Sequence, residues 1–235
     1  MKNKKVAAGN EKERLETLYA YEVLDTEEEA ALNDITKLAS YICQTPIALI
    51  SLVDSSRQWF KANYGLNAKE TDRNISFCQH TIKEDKLFEV RDAQVDVRFD
   101  KNPLVEGYPN IRYYLGSPLK SPNGHRIGSL CVIDTVPREL SEDQKSALKI
   151  LSNEIMTQFE LRRKVKEEVL KTKILQKVEL QSHNLMENSQ GLICTHDMDG
   201  IILSVNPAAA LSLQMTRAEL IGKSLFDIID PSVSQ

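Results

Sequence analysis

Residues 111–134 read IRYYLGSPLKSPNGHRIGSLCVID, and the fold follows from how this stretch is arranged. It has the pattern of a β-hairpin with arms Ile111 to Lys120 and Arg126 to Asp134, joined at Ser121-Pro122-Asn123-Gly124. Proline presets φ at the second turn position, asparagine tolerates the third, and glycine supplies the positive φ that closes a type I turn into a bulge. On the second arm Ile127, Ser129, Cys131 and Ile133 should point one way, and Gly128, Leu130 and Val132 the other. Both sets are largely apolar, so this arm is predicted to be covered on both faces and to sit centrally in its sheet. Pro118 cannot donate a ladder hydrogen bond, which calls for a bulge or an open edge beside it.

Upstream lie the partners such a hairpin needs. Residues 1–10 are polar and read as a frayed terminus. A short helix with Leu15, Leu18 and Tyr19 on its apolar side follows. Thr26-Glu27-Glu28-Glu29 has the form of a capping box for a helix whose buried face would be Leu32, Ile35, Leu38, Ala39 and Ile42. Thr45-Pro46 ends it. Ile47 to Val53 (IALISLV) reads as a central strand, and Gln58 to Tyr64 (QWFKANY) as its antiparallel neighbour. There Trp59 and Phe60 alternate, one toward the core and one outward. Gly65 to Asn74 reads as a polar loop, Ile75 to Ile82 as a short helix or turn, and Leu87 to Asp92 as a third strand. Asp100 to Asn110 is a loop with room for one helical turn. The sum is about five strands, mainly antiparallel.

Downstream, Ser141-Glu142-Asp143-Gln144 forms a second capping box, and neither glycine nor proline interrupts the chain until Gly191. A helix from Glu142 to about Met186 is predicted. Its first half packs on the domain, and its second half carries a coiled-coil pattern with a stutter, because Ile174, Leu175 and Val178 fall out of phase with Leu148, Leu151, Ile155, Val165 and Val169. Beyond it, Gly191 to His196 and Ile201 to Val205 flank an Asp197-Met198-Asp199-Gly200 turn. Asn206 caps a helix with Pro207 at its first position, and Thr216-Arg217-Ala218-Glu219 is a third capping box. Pro231 closes a short apolar run.

The totals narrow the function. A net charge of −4 points away from nucleic acid and from direct contact with an anionic membrane. No apolar run approaches the roughly 20 residues of a membrane span, and the N-terminus lacks the apolar core of a secretory signal. The four cysteines, Cys43, Cys78, Cys131 and Cys194, form no CxxC pair, so reduced thiols and a cytoplasmic location are expected.

Residues 11–163 resemble a GAF domain of a bacterial sensor subgroup. The resemblance rests on Ile47–Asp54 (IALISLVD), Arg57–Ala62 (RQWFKA), Ser76–Ile82 (SFCQHTI), Arg98–Val105 (RFDKNPLV), Ile111–Leu119, Ile127–Asp134 (IGSLCVID) and Pro137–Gln144 (PRELSEDQ), in that order and spacing. Residues 188–235 resemble the first half of a PAS domain. The region 142–187, overlapping the last GAF helix, resembles a signalling helix. The fold class implied is α+β: an antiparallel GAF sheet flanked by helices, a long C-terminal helix, then a partial PAS fold. The families imply a sensory region of a signal-transduction protein whose catalytic output, if any, lies beyond Gln235, since no effector motif is present in these residues.

Candidate ligand-binding residues are Phe77, Cys78, His80, Asp92, Arg112 and Tyr114. Ser76-Phe77-Cys78-Gln79-His80 places a thiol and an imidazole close together. As metal ligands Cys78 and His80 lack a second pair, so no metal site is expected. As a catalytic pair, Cys78 would be a thiolate activated by His80. The plainest reading packs Phe77 and Cys78 in the core and has His80 capping a turn or hydrogen-bonding a buried backbone group. Arg112 and Tyr114 share a strand face. In GAF domains ligands sit between the sheet and its loops, so Arg112 would meet an anionic ligand there or pair internally with Asp92 or another carboxylate. The purine-contact pattern of cyclic-nucleotide GAF domains is absent, and no cofactor is named by the sequence.

Three functional readings follow. The leading one is a non-enzymatic sensor, homodimeric through 142–187, that binds an unidentified small molecule or a partner. The others are a small-molecule thiol enzyme using Cys78, with no other catalytic residue assigned, and a ligand-free dimerisation spacer.

Overall fold

The computed structural model describes residues 2–228, with side chains described from 11 onward. The chain divides into two compact units, 1–164 and 165–235.

The first unit is built on one six-stranded sheet, antiparallel at every pairing, in the order β3-β2-β1-β6-β5-β4. Its strands are β1 (Ile47–Val53), β2 (Arg57–Tyr64), β3 (Glu70–Asp72), β4 (Phe88–Val90), β5 (Tyr113–Lys120) and β6 (Arg126–Asp134). The predicted hairpin is β5–β6. Gly124 has φ +88 and its amide donates to the Ser121 carbonyl at 2.9 Å. The register slips between Leu119 and Lys120, the bulge that the turn requires. β6 is central, paired with β1 on one side and β5 on the other, and buried from Ile127 to Asp134. The β4 ladder along β5 ends at Gly116, so Pro118 lies where that edge is open.

Helices cover both faces, and each face carries its own apolar layer. On one side α1 (Lys2–Ala20), α2 (Ala30–Cys43) and the start of α5 (Glu142–Asn188) pack against Ile50, Leu52, Leu115, Leu130 and Val132. On the other, α3 (Cys78–Thr81) and α4 (Pro103–Glu106) lie over Leu49, Val53, Tyr114, Cys131 and Ile133. The predicted start of α5 is present: the Gln144 amide donates to Ser141 Oγ at 3.2 Å, and Gln144 Oε1 accepts from the Ser141 amide at 2.9 Å.

Several expectations are corrected. Trp59 and Phe60 are both buried, one in each layer, because β2 is covered on both faces just as β6 is. Ile127 packs in the layer of Leu130, not with Cys131 and Ile133, since the bulge leaves it unpaired between Arg126 and Gly128 and turns it over. Leu38 is exposed: the buried stripe of α2 runs through Leu32, Thr36, Ala39 and Cys43, which puts Leu38 at its rim. The Thr26–Glu29 capping box does not form. Glu29 occupies the N-cap position of α2 without a side-chain cap, while Thr26 accepts from Lys61 Nζ at 2.6 Å and Glu29 pairs with it at 2.7 Å. The 65–74 loop contains β3 and a 3-10 turn at Arg73–Ile75. Tyr19 is half exposed, its hydroxyl donating to Asp54 at 2.7 Å.

In the second unit, β7 (Cys194–His196) and β8 (Ile202–Val205) pair antiparallel, followed by α6 (Pro207–Ser212) and α7 (Arg217–Leu220). β7 starts three residues later than the predicted strand at Gly191. Asn206 does more than cap α6. Its Oδ1 accepts from the Ala209 and Ile193 amides at 2.9 and 3.0 Å, and its Nδ2 donates to the Gly191 and Ser189 carbonyls at 2.8 and 3.2 Å. The capping box at Thr216 is present. Pro231 lies outside the described residues.

Candidate functional site

The α3–α4 face of the sheet gathers part of the predicted set. α3 is a single turn held between loops, and it drops Cys78 onto β6, where strand alternation turns Cys131 and Ser129 to the same face. Cys78 Sγ lies 3.8 Å from Cys131 Sγ, and both residues are buried. The Tyr114 hydroxyl donates to Cys78 Sγ at 3.3 Å and stands 2.7 Å from Thr81 Oγ1. Gly116 makes this possible: a Cβ there would sit 2.4 Å from the Tyr114 hydroxyl and 2.5 Å from Thr81 Oγ1. Ser51 and Ser129, paired across β1 and β6, are fully buried beside the two thiols. Phe77 stacks on Phe99 at 4.0 Å and leans on Tyr114 at 5.2 Å.

Burial works to raise the thiol pKa of Cys78, but the donors around it, Cys131, Ser129, Ser51 and Tyr114, outweigh that and lower it to about 7. Cys131 is pushed well above the ordinary thiol range by its contact with Cys78 and by burial. Of the two thiols, Cys78 is therefore the more acidic. Tyr114 is pushed well above 10, first by burial and then by the charge of the neighbouring thiols, so its hydroxyl stays a donor.

His80 does not join this group. Its ring packs between Phe88 and Phe99, with centroids 5.8 and 4.9 Å away, rather than capping a turn. Burial, with Lys83 and Arg98 adding to it, lowers its pKa. Asp92 and Arg112 engage each other through two hydrogen bonds of 2.7 Å, the internal alternative among the two readings of Arg112. That bidentate contact holds the Asp92 carboxyl below the usual range. Phe77, Cys78 and Tyr114 are thus brought together, while His80 and the Asp92–Arg112 pair stand apart from them. Among the described residues no group of three His, Cys, Asp or Glu side chains is placed to hold a metal ion.

A cavity of about 30 Å³ adjoins Cys78 and Phe77. Gln58 and Thr71 also line it, and Gln58 Oε1 and Thr71 Oγ1 are buried without partners. Neither was a candidate from the sequence, nor was Cys131. Their signal is strand register, because each faces this layer only once the pairing of β1, β2, β3 and β6 is fixed. The opposite face carries a groove of about 530 Å³ between the free edge of β5 and α5. It is lined by Lys120, Lys145, Lys149 and Glu89, and by Ser117 and Ser152, which hydrogen-bond each other at 2.6 Å. None of the six predicted residues reaches it.

Residues 27–159 match the GAF domain family, and residues 181–234 match the PAS fold. The chain belongs to the GAF family. GAF and PAS domains are sensory signalling modules, so this is a signal-transduction chain of the α+β class. It is similar to a cyclic di-GMP phosphodiesterase of Pseudomonas aeruginosa, 47% identical over 116 residues. That match covers 49% of this chain, which spans a fifth of the relative's length, 20%. Among solved structures, the GAF domain of an Acinetobacter phosphoenolpyruvate-protein phosphotransferase superposes with a TM-score of 0.50 at 18% identity, over 66% of this chain and 95% of that one. The GAF region of a Geobacter sulfurreducens putative membrane protein gives 0.47 at 17% identity, over 56% and 91%. These likenesses concern the fold. Among the described residues, no helix is long and apolar enough to cross a membrane.

Proposed function

We propose that this GAF–PAS chain is a cytoplasmic sensory relay of a bacterial signal-transduction protein. The α3–α4 face of the GAF sheet receives a small molecule or a partner, and α5 carries the result as a parallel homodimer. The observation that carries this reading is α5 itself. It is one helix of 47 residues, and from Leu161 onward its large apolar side chains, Val165, Val169, Ile174, Leu175 and Val178 among them, are exposed in the single chain. An apolar series on a solvated helix is satisfied by a second copy of the helix. Neither nucleic acid nor membrane contact is part of the reading. In a longer protein the output would act at the level of cyclic di-GMP turnover, by analogy with the relative from Pseudomonas aeruginosa.

The ligand-free spacer is the second reading, and the small cavity favours it: about 30 Å³ is far below the ~300–1,000 Å³ of ordinary ligand pockets. Against the thiol-enzyme reading, Cys78 is hydrogen-bonded by Tyr114, and His80 packs on Phe88 and Phe99. Native mass spectrometry separates the first two. Excess mass released on denaturation supports a ligand sensor; twice the chain mass with no excess supports the spacer.

A further inference from the structure

The two buried thiols on the α3–α4 face have a use that ligand binding does not require. Cys78 and Cys131 are 53 residues apart in sequence, yet their sulfurs are in van der Waals contact at 3.8 Å. The other two cysteines provide internal contrasts, since Cys43 is buried in the opposite layer and Cys194 is exposed. The cavity beside Cys78, about 30 Å³, has room for a molecule the size of water or hydrogen peroxide. It also offers the partnerless Gln58 Oε1 as an acceptor and Thr71 Oγ1 as donor or acceptor, the two roles that a small peroxide can answer. Cys78 lines that cavity and Cys131 does not.

We propose that Cys78 and Cys131 form a peroxide-sensitive dithiol, with Cys78 meeting hydrogen peroxide in the cavity and Cys131 resolving the product into a disulfide that ties α3 to the central strand β6. In the first step the Cys78 thiolate attacks one peroxide oxygen. The O–O bond breaks, hydroxide leaves and takes up the proton that Cys78 has lost, and Cys78 becomes a sulfenic acid. In the second step Cys131 sulfur attacks Cys78 sulfur and expels hydroxide, which takes the Cys131 proton and leaves as water. Two thiols give up two electrons and two protons, and one peroxide becomes two waters. The hydrogen bond from Tyr114, backed by Thr81, is placed to stabilise the attacking thiolate. Ring closure requires the sulfurs to move from 3.8 Å to about 2.05 Å. Most of that movement falls to α3, a four-residue turn, rather than to a strand paired on both sides. Phe77, directly before Cys78, moves with it. The chemistry stands whether or not α5 pairs, since it is read at the two sulfurs.

The test is peptide mapping of the whole chain carrying Cys194→Ser. The protein is exposed to hydrogen peroxide, denatured in an alkylating agent and digested. A peptide pair joined through Cys78 and Cys131, lighter by two hydrogens and separated by dithiothreitol, is expected, with Cys43 recovered alkylated. Recovery of both Cys78 and Cys131 as alkylated thiols would overturn the proposal, provided that Cys194 of the unsubstituted chain is oxidised under the same conditions. tert-Butyl hydroperoxide, too bulky for the cavity, should react more slowly; an equal rate would overturn the cavity as the route. In Cys131→Ala a sulfenic acid at Cys78 should be trapped by dimedone. Trapping at Cys43 instead would remove Cys78 from its role.

Discussion

Gly116 and Tyr114 show how closely single residues set this face. A methyl group at 116 would overlap the Tyr114 hydroxyl and Thr81 Oγ1, so Gly116→Ala should destabilise the GAF unit by about 1–3 kcal/mol, the range for overpacking. A lowered urea midpoint with unchanged slope would be the signature. Tyr114→Phe removes the donor to Cys78 and a partner of Thr81. It should cost about 1–3 kcal/mol through the buried groups left unpaired and raise the Cys78 thiol pKa. Alkylation rates of the partly opened protein across pH 6–10 would report that rise. At this scale the sequence was partly legible. The alternation of β5 turned Tyr114 inward, and the apolar character of Phe77 put it in the core. The use of Cys131, Gln58 and Thr71 was not legible, because each depends on which residue of another strand lies opposite. His80 looked like a partner of Cys78 from its spacing of two, but a one-turn helix turns residues two apart toward different sides.

Individual elements follow the same division between local and distant causes. The hairpin turn, the Ser141 and Thr216 capping boxes and the Asn206 cap were readable because their partners lie within four residues. The Thr26 box failed because its residues are claimed by Lys61, more than 30 positions away. β3, three residues long, has too short a pattern to register as a strand. Glu11 fastens α1 to the 3-10 turn, pairing with Arg14 at 2.8 Å and Arg73 at 2.7 Å. Burial works to raise its pKa, but the two guanidinium groups prevail and lower it from 4.5 to about 2. A carboxylate depressed in the folded state adds stability above its unfolded pKa and loses it as pH falls through the folded value, here between about 4.5 and 2. Glu11 is partly solvent-exposed, so the contribution is screened to about 1 kcal/mol or less. Denaturation of the unsubstituted chain and Glu11→Gln should differ at pH 6 and converge toward pH 2. In the second unit, Asn206→Ala strips four hydrogen bonds from a buried position. It should cost about 1–3 kcal/mol, seen as faster amide exchange across β7 and β8 with β1 and β6 unaffected.

For the molecule as a whole, the account turns on α5. Its first turns belong to the GAF core through Leu148, Ile155 and Phe159, and its later apolar side chains are exposed. A helix anchored in a sensory domain at one end and paired beyond it would convert a small shift on the α3–α4 face into a change of register or rotation, with a coupling on the order of 1–3 kcal/mol. The long uninterrupted helix was legible from the absence of glycine and proline; which of its faces pairs was not, because the stutter near Val169 admits two registers. Substituting Ile174→Asp and Val178→Asp together places two charges in the proposed seam and leaves the GAF core untouched. The deciding measurement is sedimentation equilibrium of the whole chain and of this double variant across a micromolar concentration series. The account predicts twice the chain mass for the first and a single-chain mass, with unchanged circular dichroism in the GAF unit, for the second. A single-chain mass for the unsubstituted protein throughout the series would contradict it.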